Sequence, residues 1–179
     1  MAYGKAILLV IAVSAATIGV KAVFLHRKDS PARLSKGDDR VTQPEVISAT
    51  DSLTVRVFFG NSRLDPEASG DKVFAVERRI PRQPAVARGA LEELLKGPGE
   101  QERAQDYFTS INTGVRIQRL MIENGTATVD FDEQLEFQVG GACRVSAIRA
   151  QITQTLRQFP TIDDVIISIN GRTRDILQP

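Results

Sequence analysis

Cysteine, histidine and tryptophan are almost missing from this chain of 179 residues. Cys143 is the one cysteine, which excludes an intramolecular disulfide and a zinc site made of several thiolates. His26 is the one histidine and lies beside an N-terminal apolar segment, so a His-based triad or a multi-histidine metal site is excluded within one chain. We therefore predict no catalytic, metal-binding or cofactor-binding residue, no cofactor and no enzymatic activity.

An excess of charge is also missing. The formal net charge is +1 at pH 7, so no strong electrostatic field attracts nucleic acid. The basic residues do not alternate with aromatic residues along any predicted strand, which argues against a platform for single-stranded nucleic acid. Nucleic acid is therefore not an expected partner.

A long apolar segment is present at the N-terminus. Ala6 to Val20 carries no charge, Lys21 interrupts the run, and Ala22 to Leu25 resumes it. A helix that spans a bilayer needs about 20 mostly apolar residues. The segment reaches that length if the Lys21 ammonium extends to the interface. Residues 1–28 are therefore predicted as an N-terminal transmembrane helix, which makes the membrane a partner of a single-pass protein.

A cleaved signal peptide is the alternative interpretation of this segment, since Val13-Ser14-Ala15 resembles a small-residue cleavage site. Cleavage there would leave a very short apolar core, which favours the retained anchor. No cysteine follows the run, which excludes a lipoprotein signal. More basic residues follow the run than precede it, and the positive-inside rule taken alone would leave the domain in the cytoplasm.

The rest of the chain divides into a linker and one domain. Residues 29–52 are polar, contain proline and glycine, and show no apolar period, so they are predicted as a flexible linker. Residues 53–179 are predicted as the folded domain. Its clearest local signal is Asn124-Gly125, the preferred pair for a type I′ hairpin, which joins strand-like segments at 115–123 and 126–131.

Three further strands are predicted. Alternating apolar residues at 53–59 and the segment at 72–80 indicate two strands before the hairpin. The segment at 165–169 (VIISI) is almost continuously apolar, which is typical of a central strand that is covered on both faces.

Two amphipathic helices complete the domain. The first follows Pro84 and ends at Gly97-Pro98. The second carries an apolar stripe in which Ile152 and Leu156 are central and expected to be fully buried. Polar residues lie largely off that stripe: Arg144, Arg149, Gln151, Gln154 and Arg157. The order β-β-α-β-β-α-β predicts an α+β fold, with one small antiparallel or mixed sheet and two helices packed on one face.

Five segments between Leu53 and Arg174 have a distinctive order and spacing. They are VRVFFGN, VFAVERRIP, ALEELLKGP, SINTGVRIQRLMIENGTATVDFDEQL and IRAQITQTLRQFPTIDDVIISING. Together they resemble the GerMN domain family, which is linked to sporulation and spore germination. Hairpins and helix stripes are common individually, so the resemblance depends on their combination.

The resemblance implies an extracytoplasmic domain of a bacterial envelope protein, similar to the ring-building modules of secretion-like channels. No catalytic residues are attributed to the family, so the resemblance supplies none. The chain has one copy of the domain where the better-known spore protein has two, and it lacks a lipobox cysteine. Both departures weaken the transfer of a sporulation role. For localisation we follow the resemblance, because the difference in basic residues is small.

Two charged groups are candidate sites. Arg78 and Arg79 could contact a partner, although adjacent strand residues point to opposite faces and charges often shield an edge strand. A second group, of acidic residues, follows the hairpin and lacks the spacing of an EF-hand calcium loop. It is interpreted as a solvated loop whose carboxylates lie at a helix start or a turn, and it comprises Asp130, Asp132, Glu133 and Glu136.

Two functions remain open. The first is an interaction or assembly module that associates with itself, as a homo-oligomer, or with other envelope proteins through sheet edges and helix faces. The alternative is an extracytoplasmic ligand-binding module for cell-wall glycan or peptide. The small number of aromatic residues disfavours sugar stacking.

Overall fold

The computed structural model describes residues 51–178. The predicted membrane segment at 1–28 lies outside the described residues, as does the predicted linker except for its last two residues. Within the described part of the chain, no helix has both the length and the apolar character needed to cross a bilayer. The first strand of the domain starts at Ser52.

The first sheet is antiparallel and has the strand order β2-β1-β3. Its strands are β1 (Ser52–Asn61), β2 (Phe74–Pro81) and β3 (Tyr107–Phe108). Val55, Val57 and Phe59 alternate along β1 and are all buried. This alternation places one face of the sheet against the core.

The second sheet has the order β4-β5-β6 and is mixed, since β5 pairs antiparallel with β4 and parallel with β6. Its strands are β4 (Ile117–Glu123), β5 (Thr126–Phe131) and β6 (Asp164–Ile169). Asn124 and Gly125 join β4 to β5 with φ angles of 49° and 80°. Two successive positive φ angles define a type I′ turn, so the predicted hairpin is confirmed.

Three α-helices accompany the two sheets: α1 (Val86–Leu95), α2 (Glu100–Arg103) and α3 (Ala142–Arg157). A single turn of 3-10 helix follows β5 at Glu133–Leu135. α1 and α3 contact each other and β1, and α3 also contacts β6. Ile152 and Leu156 are fully buried in this core, as the apolar stripe predicts.

The prediction of a single sheet is wrong, because the strands form two three-stranded sheets. The α+β class and the order of the long elements are confirmed. The period of buried side chains shows which face of a strand is covered, but it does not show which strand supplies the hydrogen bonds. The two-residue strand β3 is too short to have a period, and the prediction omits it.

The prediction for residues 165–169 is also wrong in one respect. These residues form β6, which lies at the edge of the second sheet and not at its centre. Ile167 and Ile169 are buried, whereas Ile166 is 43% exposed. The apolar run therefore has one core-facing side and one side that faces away from the core.

Two polar side chains, Thr155 in α3 and Gln158 directly after its end, complete the edge of β1 that β3 leaves open. The Gln158 side chain accepts a hydrogen bond from the Arg56 N–H (2.7 Å) and donates one to the Arg56 carbonyl (2.5 Å). The Thr155 hydroxyl accepts from the Phe58 N–H at 3.2 Å. The helix thus takes the place of a neighbouring strand, which explains why Thr155 is fully buried.

Gln151 is fully buried, whereas the sequence predicts a position off the apolar stripe. Its side-chain oxygen accepts a hydrogen bond from the Thr109 hydroxyl at 2.8 Å. This bond offsets the desolvation of the oxygen alone, because Gln151 Nε2 is buried and has no hydrogen-bond partner among the described residues. This bond fastens α3 to the segment that follows β3.

Candidate interaction surface

The second sheet has one face toward the core and one face away from it. Ala127, Val129 and Phe131 of β5 are fully buried on the inner face. The outward residues of the three strands form a surface that we call the open face. It comprises Arg119, Met121, Glu123, Thr126, Thr128, Asp130, Asp164 and Ile166, whereas Ser168 on the same side is buried.

An apolar row crosses the middle of the open face. Met121 pairs with Thr128, and Thr128 pairs with Ile166, so the three side chains lie side by side. Met121 is 40% exposed and Ile166 is 43% exposed. A shallow depression of about 270 Å³ adjoins this row. The open face therefore offers contiguous apolar area between polar neighbours.

β4 forms one edge of this sheet, and among residues 51–178 no strand pairs with its outer side. Met121 points to the open face, and the adjacent Ile122, which is 42% exposed, points to the opposite face. A register shift between Ile117 and Arg119 marks a bulge at the start of the strand. The edge is therefore regular from Arg119 to Glu123 and carries exposed apolar side chains on both faces.

A groove of about 190 Å³ lies beside this edge on the inner side, between β4 and the N-terminal end of α1. Leu120 and Ile122 form its β4 wall. The residues before and within the first turn of α1 form the other wall and are mostly apolar: Pro84, Ala85, Val86, Ala87 and Arg88. The groove can receive an apolar side chain from outside the sheet.

Two opposite charges flank the apolar part of the edge. Arg119 and Glu123 both lie on the open face, on either side of Met121. Both are exposed, and neither takes part in a salt bridge with another residue in the described range 51–178. They are thus available to an outside partner.

The two predicted arginines have different environments. Arg78 lies toward the core side of β2, where its side chain is 17% exposed. Its guanidinium forms a two-pronged ion pair with Glu102, in which one hydrogen bond measures 2.5 Å, and stands 3.9 Å from Glu93. It also lies 5.8 Å from the centre of the Phe59 ring. Arg78 therefore connects β2 to the α1–α2 region within the domain.

Arg79, in contrast, is exposed on the other face of β2, together with Glu77. β2 is an edge strand of the first sheet, as expected for charged shielding. Of the two candidate arginines, Arg79 is therefore the one whose side chain is directed to solvent. The prediction that Arg78 and Arg79 occupy opposite faces agrees with this arrangement.

Glu102 is the carboxylate that holds Arg78 in place. Its hydrogen bond with the Arg78 guanidinium is the main cause that lowers the pKa of Glu102 below the ordinary value of 4.5. The Gly99 N–H adds a further hydrogen bond at 2.7 Å, which also caps the start of α2. Glu102 stays ionised at neutral pH as a structural partner.

The acidic cluster after the hairpin binds the C-terminal segment. Asp130 Oδ1 accepts hydrogen bonds from the Ser168 hydroxyl (2.7 Å) and the Gly171 N–H (2.8 Å). Glu136 forms a salt bridge with Arg172 at 2.5 Å. These carboxylates thus have specific protein partners and are not simply solvated, which sequence spacing did not reveal.

The other two members of the cluster have similar roles. Asp132 accepts a hydrogen bond from the Arg116 N–H at 3.1 Å. Glu133 accepts one from the Asn170 side chain at 3.1 Å, and this bond is the main cause that lowers the Glu133 pKa. Within residues 51–178, no group of three or more histidine, cysteine, aspartate or glutamate residues could hold a metal ion.

Two further concave sites among the described residues lie at the start of α3 and beside α1. A cavity of about 130 Å³ adjoins Cys143 and Arg144 at the start of α3. Its charged groups already have partners, since Lys72 pairs with Asp65 at 3.4 Å and Arg144 donates to the Asn112 side chain at 2.7 Å. Small-molecule sites usually measure about 300 Å³ or more, so this cavity is small for a ligand.

The second site is a wider groove of about 470 Å³ next to α1. It is lined by charged, apolar and glycine residues and by no aromatic side chain: Arg88, Glu92, Leu95, Lys96, Gly114, Val115, Arg116 and Ile117. An aromatic platform for sugar stacking is therefore missing from this groove.

Comparisons with known proteins agree with the sequence resemblance. The family model described as Germane, sporulation and spore germination, matches residues 56–175. The fold is similar to the first GerMN domain of the sporulation protein GerM from Bacillus subtilis, with a TM-score of 0.53 and 22% identity over 68% of this chain and 85% of that chain. At this identity the likeness shows the fold alone.

The tandem GerMN domains of the same Bacillus subtilis protein give the same TM-score of 0.53 and 22% identity. The match covers 68% of this chain and 40% of that longer chain. No curated protein matches the sequence.

Proposed function

Because the chain belongs to the Germane family of sporulation and spore germination proteins, we propose that it is a non-enzymatic module for protein–protein interaction or assembly. We propose that its N-terminal segment holds it at the extracytoplasmic face of the cell membrane. The observation that carries the interaction role is the open face of the second sheet, together with the unpaired β4 edge.

Three exposed apolar side chains support this proposal. Met121, Ile122 and Ile166 are each at least 40% exposed. A single exposed apolar residue is ordinary, but a contiguous group on a sheet face and its edge is typical of a contact surface. An edge strand with free N–H and C=O groups adds hydrogen bonds to that apolar contact.

A role in sporulation or germination is part of the proposal and depends on the family. The chain spans 40% of the tandem GerM chain.

Photo-crosslinking in the native host tests the interaction role. A photoreactive phenylalanine analogue replaces Met121 or Ile166 on the open face, and Arg79 or Gln154 at exposed control positions elsewhere. The open-face positions are expected to give discrete protein adducts, and the controls much weaker ones. Equal labelling at all four positions would contradict the proposed surface, and the absence of adducts would contradict the interaction role itself.

A fusion tests the proposed location. Alkaline phosphatase, which is active only outside the cytoplasm, follows residue 179 and is expected to be active. Activity of a cytoplasmic reporter alone at the same position would contradict the extracytoplasmic location and would favour the positive-inside rule.

Binding of cell-wall glycan or peptide is the alternative function, and the groove beside α1 is the feature that favours it. Arg116 could contact a carboxylate of a cell-wall peptide there, whereas Arg88 and Lys96 already pair with Glu92 and Glu93. Co-sedimentation with purified cell wall separates the two functions. Binding that is lost in Arg116→Glu would support the alternative, whereas an unbound protein would leave the interaction role as the only proposal.

A further inference from the structure

The open edge of β4 has a self-complementary sequence. Resting on the proposed function, we infer that its partner is a second copy of this chain. The two β4 strands pair antiparallel, with Met121 opposite Met121 of the partner subunit. The two second sheets then join into one continuous six-stranded sheet.

Hairpin geometry determines which backbone groups face outward. In a two-residue hairpin, the residues that flank the turn exchange both hydrogen bonds, and the pattern then alternates along the strand. Glu123 pairs with Thr126 next to the turn, so Glu123 and Met121 direct their backbone groups to β5. Leu120 and Ile122 direct theirs to the free edge.

This pattern restricts the registers in which two β4 strands can pair. Outward-directed residues must lie opposite outward-directed residues. If Leu120 lies opposite the partner's Ile122, two symmetric pairs exchange four backbone hydrogen bonds. The Met121 residues of the two copies then lie opposite each other on the two-fold axis. They form a non-hydrogen-bonded pair of the antiparallel ladder.

The charges on β4 favour the register with Met121 on the axis over the two adjacent registers. With Met121 on the axis, Arg119 of each copy lies opposite Glu123 of the other copy, on the open face. Opposite charges directly across a pair of strands are favourable, and like charges are not. If Leu120 were on the axis, Arg119 would face Met121. If Ile122 were on the axis, Met121 would face Glu123, and neither register would form an ion pair.

The inner face also fits a second copy. In the same register, Ile122 of the partner subunit lies opposite Leu120, on the side of the sheet where the groove beside α1 opens. That groove measures about 190 Å³ and already has apolar walls on α1 and β4. Each copy can therefore bury its 42% exposed Ile122 against the other copy.

Disulfide trapping in the full-length chain tests this pairing. The exposed native cysteine is first replaced by Cys143→Ser, and Met121→Cys is then introduced. Cα atoms of directly opposed residues in such a pair lie about 4.5 Å apart, which a disulfide can bridge. Membranes of the expressing host are oxidised, and the dimer is measured on a non-reducing gel.

The expected result is a disulfide-linked dimer for Met121→Cys. The matched control is Thr128→Cys, which lies on the same face but one strand further from the axis. Across three strand spacings of about 4.8 Å, two such cysteines cannot form a disulfide. If Met121→Cys gives no more dimer than Thr128→Cys, the inference is overturned.

A mixed experiment determines the register. Arg119→Cys and Glu123→Cys, on two differently tagged copies, are expected to crosslink to each other and much less to themselves. In the Met121→Cys background, Arg119→Glu alone or Glu123→Arg alone is expected to reduce the dimer. The double exchange is expected to restore it. Failure of this restoration would exclude the proposed register, and circular dichroism confirms that each variant stays folded.

Two outcomes separate this inference from the function on which it rests. If the photoreactive residue at position 121 captures a different protein while Met121→Cys gives no dimer, the interaction role stands and self-pairing is wrong. If neither experiment gives a product, both proposals are wrong.

Discussion

The two sheets end in two very different edge strands, β2 and β4. β2 presents Glu77 and Arg79 to solvent, ends at Pro81, and uses Arg78 to hold α2. Charges and proline are the usual means by which proteins prevent an edge from pairing. The first sheet is therefore protected at β2 and completed by α3 on its other side.

β4 has little of this protection. Its regular part carries Met121 and Ile122 as exposed apolar residues, and it contains no proline. Its two charged residues, Arg119 and Glu123, have opposite signs. They therefore attract an antiparallel strand whose charges run in the opposite order, and they do not repel every strand. Glu77 and Arg79 of β2 also have opposite signs, so the two edges differ chiefly in Pro81 at the end of β2 and in the exposed apolar residues of β4.

The largest effect is expected from the helix that supports both sheets. Ile152 is fully buried on α3, and Ile152→Ala removes apolar contacts and leaves a cavity. We expect a loss of about 2–5 kcal/mol in the free energy of unfolding, measured by chemical denaturation. Gln154→Ala changes an exposed residue of the same helix and should alter that free energy by less than about 0.5 kcal/mol. Similar values for both variants would contradict the proposed core.

A smaller effect should distinguish the two faces of β2. Arg78→Glu places a third carboxylate beside Glu93 and Glu102 and removes their shared cation. We expect a loss of about 2–4 kcal/mol, because partly buried Glu102 loses its ion-pair partner, whereas Glu93 keeps only its pair with Lys96. Arg79→Glu should change stability by less than about 0.5 kcal/mol, since that side chain is exposed. Thermal denaturation measures the stability of both variants. Equal losses would show that Arg78 contributes no more to stability than Arg79.

The pH dependence should give the smallest effect. The Glu102 pKa lies below its ordinary value of 4.5 in the folded protein. The unfolded chain therefore binds this proton more readily, and the stabilisation is present above about pH 4.5 and is lost as pH falls through the folded pKa. Glu102→Gln should remove this part of the acid dependence, amounting to less than about 1 kcal/mol.

The test compares the unfolding free energy of the wild type and Glu102→Gln between pH 7 and pH 3. The difference between them should shrink as the pH falls. A difference that stays constant over this range would show that protonation of Glu102 does not contribute to stability. Glu100→Gln, on the same short helix but exposed, is the control.

The sequence was sufficient to predict the long elements, because each has a local signal. Asn124-Gly125 specifies its own turn, and the stripe through Ile152 and Leu156 reports the buried side of α3. The family resemblance is likewise confirmed by the match to residues 56–175.

The division into two sheets could not be predicted in this way, because strand pairing depends on backbone hydrogen bonds that side-chain periods do not encode. Thr155 and Gln158 illustrate the point, since they look like ordinary polar helix residues and yet complete the edge of β1. Arg78 is similar, because its partner Glu102 is distant in sequence. Only the strand order of the second sheet identifies β4 as an edge strand.

Amide hydrogen exchange of the full-length chain at two protein concentrations tests the central claim most directly. The N–H groups of Leu120 and Ile122 face the free edge of β4, so their protection is expected to increase with concentration, while that of the β2 amides stays constant. Protection of Leu120 and Ile122 that does not depend on concentration, or that increases equally in β2, would contradict the claim that β4 is the open edge and β2 the protected one.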